Sequence, residues 1–145
     1  MKVALGADHG GYDLKEEIKS VLDEAGVEYE DLGCDCSDSV DYPDYAVPVA
    51  EKVTAGEVDR GILVCGTGIG MSIAANKVNG IRCALVHDVF SAKMTRAHND
   101  SNVLAMGARV IGSGLAGEIV KAWISTEHEG GRHADRIQKV AAIEQ

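Results

Sequence analysis

The feature that most constrains this chain is a glycine-rich stretch at residues 61–76, which reads GILVCGTGIGMSIAAN. Its aliphatic run at 62–64 has the length and composition of a buried strand, and three glycines follow it closely. Good helix formers then occupy 71–75. Glycines let a backbone approach a ligand, and the first amides of a helix have no intrahelical partner. The stretch therefore predicts a strand, a turn and a helix that together bind an anion, with Cys65 at the mouth of the turn.

Three familiar glycine signatures do not fit this turn. A dinucleotide-binding fingerprint requires a glycine where Met71 stands. A P-loop requires a lysine directly after its last glycine, but the first lysine is Lys77. A phosphatase-type thiolate loop requires an arginine soon after the cysteine, and the next arginine is Arg82. The remaining groups are Cys65, the Thr67 hydroxyl and several free amides, which suit an oxyanion such as an enediolate.

Strand-like and helix-like segments alternate along the chain. Strands are predicted at residues 2–7, 27–33, 62–64, 81–86 and 102–106. Helices are predicted at 13–25, 46–55, 71–75 and 88–97, around 115–123, and after Gly131. This alternation predicts one α/β domain over residues 1–145, a three-layer α/β/α Rossmann-like fold with a five-stranded parallel sheet and a C-terminal helix.

Two local signals refine the helix boundaries. Asp13, with Glu16 three residues later, predicts a side-chain cap for the first helix. Pro48 predicts that the second helix begins shortly before it, because proline is tolerated in the first turn of a helix.

The charge balance restricts the classes of partner. A net charge of −9 argues against nucleic acid and against anionic membrane surfaces. The sequence has neither a signal-like N-terminus nor a long apolar run, so we expect a cytoplasmic protein. Five of the six arginines fall after residue 72, a distribution compatible with a small anionic ligand or with a solvated surface.

The cysteines do not predict a metal site. We expect all four to be reduced in the cytosol. Cys34 and Cys36 form a Cys-x-Cys pair, but no second pair of ligands lies near them in sequence, so no structural zinc is predicted. They lie on a long polar loop that ends near Tyr42, and that tyrosine could either reach a ligand or remain an ordinary exposed side chain.

Several polar residues are candidates for a site, each with a structural alternative. Asp8 and His9 follow the first strand, where open α/β sheets bind ligands, although an aspartate there can also cap its loop. His98 ends a predicted helix and is either a dipole-stabilised histidine or a proton-transfer group. Arg132 and Arg136 are four residues apart, so on a helix they either converge on one phosphate or form a solvated pair.

Four separated motifs occur together in one known family. They are Asp8-His9-Gly10-Gly11, Cys65-Gly-Thr-Gly-Ile-Gly70, His98-Asn99 and Gly131-Arg132-His133-x-x-Arg136. With these motifs, and nearly end to end, the sequence resembles the type B ribose-5-phosphate isomerases, in the family that also holds the allose-6-phosphate and galactose-6-phosphate isomerases. The resemblance implies interconversion of ribose 5-phosphate and ribulose 5-phosphate without a metal or an organic cofactor.

The resemblance also implies roles for individual residues. Cys65 is the base that moves a proton between C1 and C2, and His98 opens the sugar ring. Asp8 binds the sugar, and His9, Arg132 and Arg136 hold the phosphate. The enediolate is stabilised and the site completed by a further set of residues, namely Gly66, Thr67, Gly68, Ile69, Gly70, Asn99 and Arg109.

The family further implies a homodimer whose sites are shared, with His98 and Asn99 entering from the partner subunit. Some members carry a glutamate base just after the glycine turn, where this chain has Met71. Two alternatives remain: an allose-6-phosphate isomerase of the same family, or a non-catalytic module of flavodoxin-like type that binds a phosphate or a nucleotide. The binding module would give Cys65 and His98 no function.

Overall fold

A computed structural model of the protein describes residues 1–35 and 37–144, so Cys36 of the Cys-x-Cys pair lies outside the described residues. The strands are β1 (Lys2–Ala7), β2 (Glu28–Asp31), β3 (Arg60–Cys65), β4 (Cys83–Leu85) and β5 (Val103–Gly107). The helices are α1 (Tyr12–Glu24), α2 (Pro43–Thr54), α3 (Ile69–Asn76), α4 (Val89–Ala97), α5 (Ser113–Ser125) and α6 (Arg132–Ala141).

The five strands form one parallel sheet in the order β2-β1-β3-β5-β4. One face is covered by apolar residues of α1, α4 and α5, with Trp123 fully buried among them. The other face is covered by α2 and α3, where Val49 and Met71 are fully buried. The predicted three-layer α/β/α architecture with five parallel strands is confirmed.

The strand register aligns the ends of the three central strands. Ala7 of β1 pairs with Val64 of β3, and Cys65 of β3 pairs with Gly107 of β5. Because the strands are parallel, their last residues share one side of the sheet, which we call the carboxyl edge. The opposite side, where the strands begin, is the amino edge. Loops after strands lie at the carboxyl edge, and loops after the helices that return lie at the amino edge.

The predicted cap of α1 is wrong. The helix begins at Tyr12, and Asp13 lies inside its first turn without a capping hydrogen bond. The aspartate that orders this loop is Asp8, whose Oδ1 accepts hydrogen bonds from the amides of Gly10 and Gly11 at 2.9 and 3.1 Å. Because Asp8 already accepts these hydrogen bonds, the loop does not need a side-chain cap from Asp13.

Other boundaries shift for local reasons. α2 begins at Pro43, so Pro48 lies beyond the first turn, contrary to the prediction. β2 is shorter than predicted because Gly33 has a φ of 105°, which interrupts the extended backbone. The Gly33 carbonyl nevertheless accepts a hydrogen bond from the Ala7 amide. β4 starts later than predicted because the Ile81 amide closes a turn onto Val78.

α3 extends further than predicted at its beginning, since it starts at Ile69 within the glycine turn. Gly68 precedes it with a φ of 77°, a conformation that favours glycine. None of the helices in residues 1–35 and 37–144 is long and apolar enough to cross a membrane.

Candidate active site

The glycine turn places Cys65 at the carboxyl edge, as the last residue of β3. Its side chain is 5% exposed, and its Sγ accepts a hydrogen bond from the Gly68 amide at 3.0 Å. The Thr67 hydroxyl oxygen lies close by and accepts a longer bond, 3.3 Å, from the Ile69 amide. Amide donors at the start of a helix stabilise a thiolate, so the turn is arranged to hold Cys65 as a base or nucleophile.

Asp8 lies beside this turn, at the end of the neighbouring strand. Its amide donates to the Val64 carbonyl at 3.2 Å, and its side chain is buried. The backbones are so close that a Cβ added at Gly10 would lie 3.2 Å from the Gly66 nitrogen. Asp8 therefore caps its own loop and also borders the Cys65 turn, so the two interpretations of this residue are compatible.

Two glycines show how tightly this edge is built. A Cβ at Gly11 would lie 2.2 Å from the Val64 carbonyl oxygen. A Cβ at Gly107 would lie 2.6 Å from the Thr67 carbonyl carbon. No side chain fits at either position, so backbone packing fixes the turn from both neighbouring strands.

Two more side chains border the same turn, and His9 follows Asp8 in the neighbouring loop. Arg109 lies over Gly66, with its Nη1 3.1 Å from where a Cβ would be, and its own amide donates to the Gly66 carbonyl. The Tyr42 ring covers Gly70, where a Cβ would approach within 2.8 Å. His9 is half-buried, and its Nδ1 accepts a hydrogen bond from the Val40 amide. We call Asp8, His9, residues 65–70 and Arg109 the carboxyl-edge cluster.

His98 and Asn99 lie at the amino edge. α4 begins after β4 and runs back along the sheet, so His98, its C-terminal cap, is near the start of β5. The adjoining turn is held by Asp100, which has a φ of 47° and a carboxylate that accepts hydrogen bonds from Arg82 and Arg96. His98 therefore sits on a well-anchored turn, with its side chain 39% exposed.

The same edge carries the C-terminal motif. Two left-handed glycines precede α6, whose first turn contains Arg132 and His133. The His133 ring stacks on the His98 ring with centroids 4.1 Å apart and planes 9° apart. The Glu129 carboxylate lies 3.8 Å from the Nε2 of His98 and 3.4 Å from the Nε2 of His133.

Arg132 and Arg136 are both exposed near the start of α6, as the helical spacing predicts. With His98, Asn99, Glu129 and His133 they form what we call the amino-edge cluster. A cavity of about 370 Å³ opens at this edge between β4, α4 and α6. It is lined by Asn99 but by no residue of the carboxyl-edge cluster, so it is not the site that the glycine turn indicates.

The fold does not bring the two clusters together within one chain. A strand of five residues such as β5 spans roughly 16 Å, and it separates the edge that holds Cys65 from the edge that holds His98. Within residues 1–35 and 37–144, no hydrogen bond, ion pair or ring contact joins the two clusters. The predicted site residues thus fall into two groups, which lie at opposite ends of the sheet.

Two residues of the amino-edge cluster were not among the predicted site residues. His133 belongs to a motif that sequence reasoning identified, and its position beside Arg132 was the available signal. Glu129 gave no signal, because an exposed acid before a glycine pair is common. Cys83 is half-buried in β4 and lines the cavity at this edge, and burial raises the pKa of its thiol to about 12.

The chain has many relatives with closely similar sequences. A model of the family described as Ribose/Galactose Isomerase matches residues 3–140. A putative sugar phosphate isomerase of Bacillus subtilis (strain 168) is 68% identical, covering 100% of this chain and 98% of the relative. Ribose-5-phosphate isomerase B of Escherichia coli (strain K12) is 54% identical over 99% of this chain and 97% of that enzyme.

Other relatives bear on the ligand. A protein of Pectobacterium atrosepticum named D-erythrulose-4-phosphate isomerase is 46% identical, over 99% of this chain and 95% of its own. Ribose-5-phosphate isomerase B from Mycoplasma genitalium, solved with bound ribulose-5-phosphate, superposes with a TM-score of 0.94 at 38% identity, covering 99% of this chain and 95% of that chain.

The solved structures agree with the sequence relatives. The Clostridium thermocellum ribose-5-phosphate isomerase B superposes with a TM-score of 0.98 at 53% identity, and covers 99% of this chain and 97% of that chain. Sequence and fold agree over nearly the whole length. The chain therefore belongs to the ribose/galactose isomerase family.

Proposed function

We propose that this protein is an aldose-ketose isomerase that interconverts ribose 5-phosphate and ribulose 5-phosphate through an enediolate. The observation that carries the proposal is the position of the Cys65 thiol, which accepts an amide hydrogen bond at the start of α3 and lies beside Asp8. A proton next to a carbonyl is weakly acidic, so the enzyme must supply a base and stabilise the oxyanion as it forms. The glycine turn offers both within one loop.

Cys65 is the base in this mechanism. As a thiolate it takes the proton from C2 of the open aldose and returns it to C1, while a proton passes from the C2 hydroxyl to the C1 oxygen, so the carbonyl moves from C1 to C2. The Thr67 hydroxyl and the amides of residues 66–70 stabilise the enediolate. Met71 stands where some family members carry a glutamate. Its thioether cannot act as a base, and the residue is fully buried.

Charged groups of both clusters bind the rest of the substrate. Asp8 accepts hydrogen bonds from sugar hydroxyls, and Arg132, Arg136 and His9 bind the phosphate through charge-assisted hydrogen bonds. Asn99 and Arg109 complete the site. His98 transfers the proton that opens the furanose ring. No metal or organic cofactor takes part.

The active unit we propose is a homodimer in which the amino-edge cluster of one subunit covers the carboxyl-edge cluster of the other. The separation of the two clusters by the length of the sheet supports this arrangement, because His98 cannot reach the Cys65 of its own chain. Exposed apolar side chains on α3 and α4, namely Ile69, Ile73 and Phe90, are available for such a contact. Residues 1–145 act as one domain, in the cytoplasm.

Ribose 5-phosphate is the first candidate substrate. The Tyr42 ring over Gly70 closes one side of the turn, and a six-carbon sugar such as allose 6-phosphate needs more room. A four-carbon substrate is the second candidate, because two relatives are named for D-erythrulose 4-phosphate. We expect pentose turnover to exceed turnover of either the shorter or the longer sugar phosphate.

The experiment that tests both parts of the proposal is mixed-subunit complementation. Cys65→Ala and His98→Ala are each expected to be inactive toward ribose 5-phosphate, assayed with a chelator present. If the two chains are unfolded together in equal amounts and refolded, half of the dimers are mixed and each mixed dimer has one intact site. Activity should then recover to about a quarter of the wild-type value.

Each other outcome has a clear meaning. Inactive single variants with no recovery on mixing would place the whole site within one chain and exclude the shared dimer. Full activity of both single variants would exclude the mechanism. A wild-type protein inactive toward all three sugar phosphates would instead favour the phosphate-binding module.

A further inference from the structure

The ring-opening histidine of the proposed mechanism does not stand alone. His98 stacks face to face on His133, which comes from a different helix, and the centroid distance of 4.1 Å is that of close contact. The backbone fixes this pairing, because the Glu129 amide donates to the carbonyl of Ala97, the residue before His98, at 3.0 Å. The segment before α6 is therefore tied to the end of α4 at the point where the two rings meet.

One carboxylate faces both rings. The same oxygen of Glu129, Oε2, lies 3.4 Å from the Nε2 of His133 and 3.8 Å from the Nε2 of His98. The His133 side chain is 11% exposed, whereas those of Glu129 and His98 are 57% and 39% exposed. The buried His133 ring thus covers one face of the His98 ring, while part of the His98 side chain stays exposed.

Most of the groups around His133 disfavour a positive charge on that ring. Burial lowers the pKa of His133, as do the neighbouring His98 and the cations Arg132 and Arg136, while Glu129 opposes them. A positive charge that forms on the His98 ring during the reaction would face the Glu129 carboxylate, whose Oε2 lies 3.8 Å from the Nε2 of His98.

We propose that Glu129 and His133 are positioning residues for His98, which hold its imidazole in one orientation and stabilise its protonated form while the sugar ring opens. This inference rests on the proposed isomerase function. All three residues belong to one chain, so the arrangement is the same whichever subunit supplies the rest of the site. In this proposal, neither Glu129 nor His133 takes part in the proton transfer between Cys65 and the substrate carbons.

The role can be tested by comparing two reactions. Conversion of ribose 5-phosphate requires ring opening because the aldose is a furanose. Exchange of a C1 proton of ribulose 5-phosphate with deuterated water requires only the base and the enediolate, because the C5 oxygen carries the phosphate and the ketose is open. For Glu129→Gln and His133→Asn we expect kcat for ribose 5-phosphate to fall at least tenfold with little change in KM. The exchange rate, followed by NMR, should stay within twofold of wild type.

Controls distinguish the alternatives. Glu127→Gln removes an exposed acid from the same segment and should leave both reactions unchanged, and Glu129→Asp should restore part of the lost kcat. A chelator is present throughout, because the three donor atoms lie within 4.8 Å of one another and a divalent cation could bridge them.

Equal losses in both reactions would overturn the proposal in favour of a general structural role, and unchanged kcat would exclude any role. A wild-type protein that catalyses neither reaction would instead count against the isomerase function itself.

Discussion

The carboxyl-edge cluster and the amino-edge cluster are built in different ways. At the carboxyl edge, Cys65 and Asp8 are buried, and glycines pack so tightly that no side chain fits at Gly11. At the amino edge, His98 is 39% exposed, and Arg132 and Arg136 project from the first turns of α6. The first cluster is fixed by the same packing that holds the sheet together, whereas the second is displayed on the surface.

This difference implies that substitutions will act differently at the two edges. A change at the carboxyl edge should affect stability and activity together, because the backbone that shapes the turn is also part of the core. A change at the amino edge should affect binding or catalysis and leave the free energy of unfolding almost unchanged. The substitutions below test this contrast, beginning with the largest expected effect.

Removing the thiol of Cys65 should stop the reaction while substrate binding largely remains. We expect Cys65→Ala to lower kcat for ribose 5-phosphate by roughly 10³-fold or more, because no other base is available in the turn. Binding of ribose 5-phosphate, measured by calorimetry on the inactive variant, should largely survive because the phosphate contacts remain. Turnover within a few-fold of wild type would rule out the thiol as the base.

Gly11→Ala should give the largest loss of stability. The new Cβ would lie 2.2 Å from the Val64 carbonyl oxygen, so β1, β3 or the loop must shift. We expect a loss of about 3 kcal/mol in the free energy of unfolding, measured by urea denaturation. The matched control is Gly114→Ala in α5, where the added methyl meets open space and alanine favours the helix. Equal stability of the two variants would show that the carboxyl edge is not rigid.

Asp31→Asn should weaken the support beneath the carboxyl edge. Asp31 accepts hydrogen bonds from the Gly33 amide and from Lys15, whose side chain is 1% exposed. Burial would raise the pKa of Asp31, but the bonds from Lys15 and Lys19 outweigh it and the pKa is lowered. The carboxylate therefore stabilises the fold above its unfolded pKa of about 3.9, and that contribution disappears as the pH falls through the lower folded value.

We expect Asp31→Asn to cost about 2 kcal/mol at pH 7, since the buried Lys15 ammonium loses the closer of its two carboxylate partners and keeps only the more distant Glu16. The difference from wild type should shrink as the pH falls below about 4, measured by urea denaturation at several pH values. Glu16→Gln removes a more exposed partner of Lys19 and should cost less than about 0.5 kcal/mol. If the difference in free energy of unfolding between Asp31→Asn and wild type stays the same at acid pH, the charge of Asp31 is not what stabilises the fold.

Substitution of Arg132 or Arg136, the arginines proposed to bind the phosphate, should weaken substrate binding and leave stability almost unchanged. For Arg132→Ala and Arg136→Ala we expect KM for ribose 5-phosphate to rise about tenfold, because charge-assisted bonds to the phosphate are lost. Stability should change by less than about 0.5 kcal/mol, because both side chains are exposed. Lys139→Ala, a cation further along α6, is the control that tests whether charge alone matters. An unchanged KM in both arginine variants would contradict the phosphate clamp.

The glycine turn was the most predictable part of the site. Its strand, turn and helix were read from adjacent residues, and the structure has all three, with the Sγ of Cys65 bonded at the start of α3. The helical spacing of Arg132 and Arg136 was predictable for the same reason. The wrong prediction of a cap at Asp13 shows the limit of such reasoning. The loop before α1 is instead held by Asp8, which follows the preceding strand and accepts the hydrogen bond from the Gly10 amide.

The pairing of His98 with His133 and Glu129 was not predictable. These residues are distant in sequence, and they meet only because α4 and the segment before α6 are joined by a backbone hydrogen bond at the amino edge. No local period or turn signal encodes a contact between two helix ends. The alternatives left open for His98 from the sequence reflect that missing information.

By itself, the sequence determined the parallel α/β architecture and the strand, turn and helix at residues 60–76, because strand length, helical periodicity and glycine placement act over a few neighbouring residues. Only the tertiary structure decided the strand order and the assignment of the two clusters to opposite edges of the sheet. The physical reason is that these depend on how whole helices and strands pack across the core, where the free energy is shared among residues far apart in the chain.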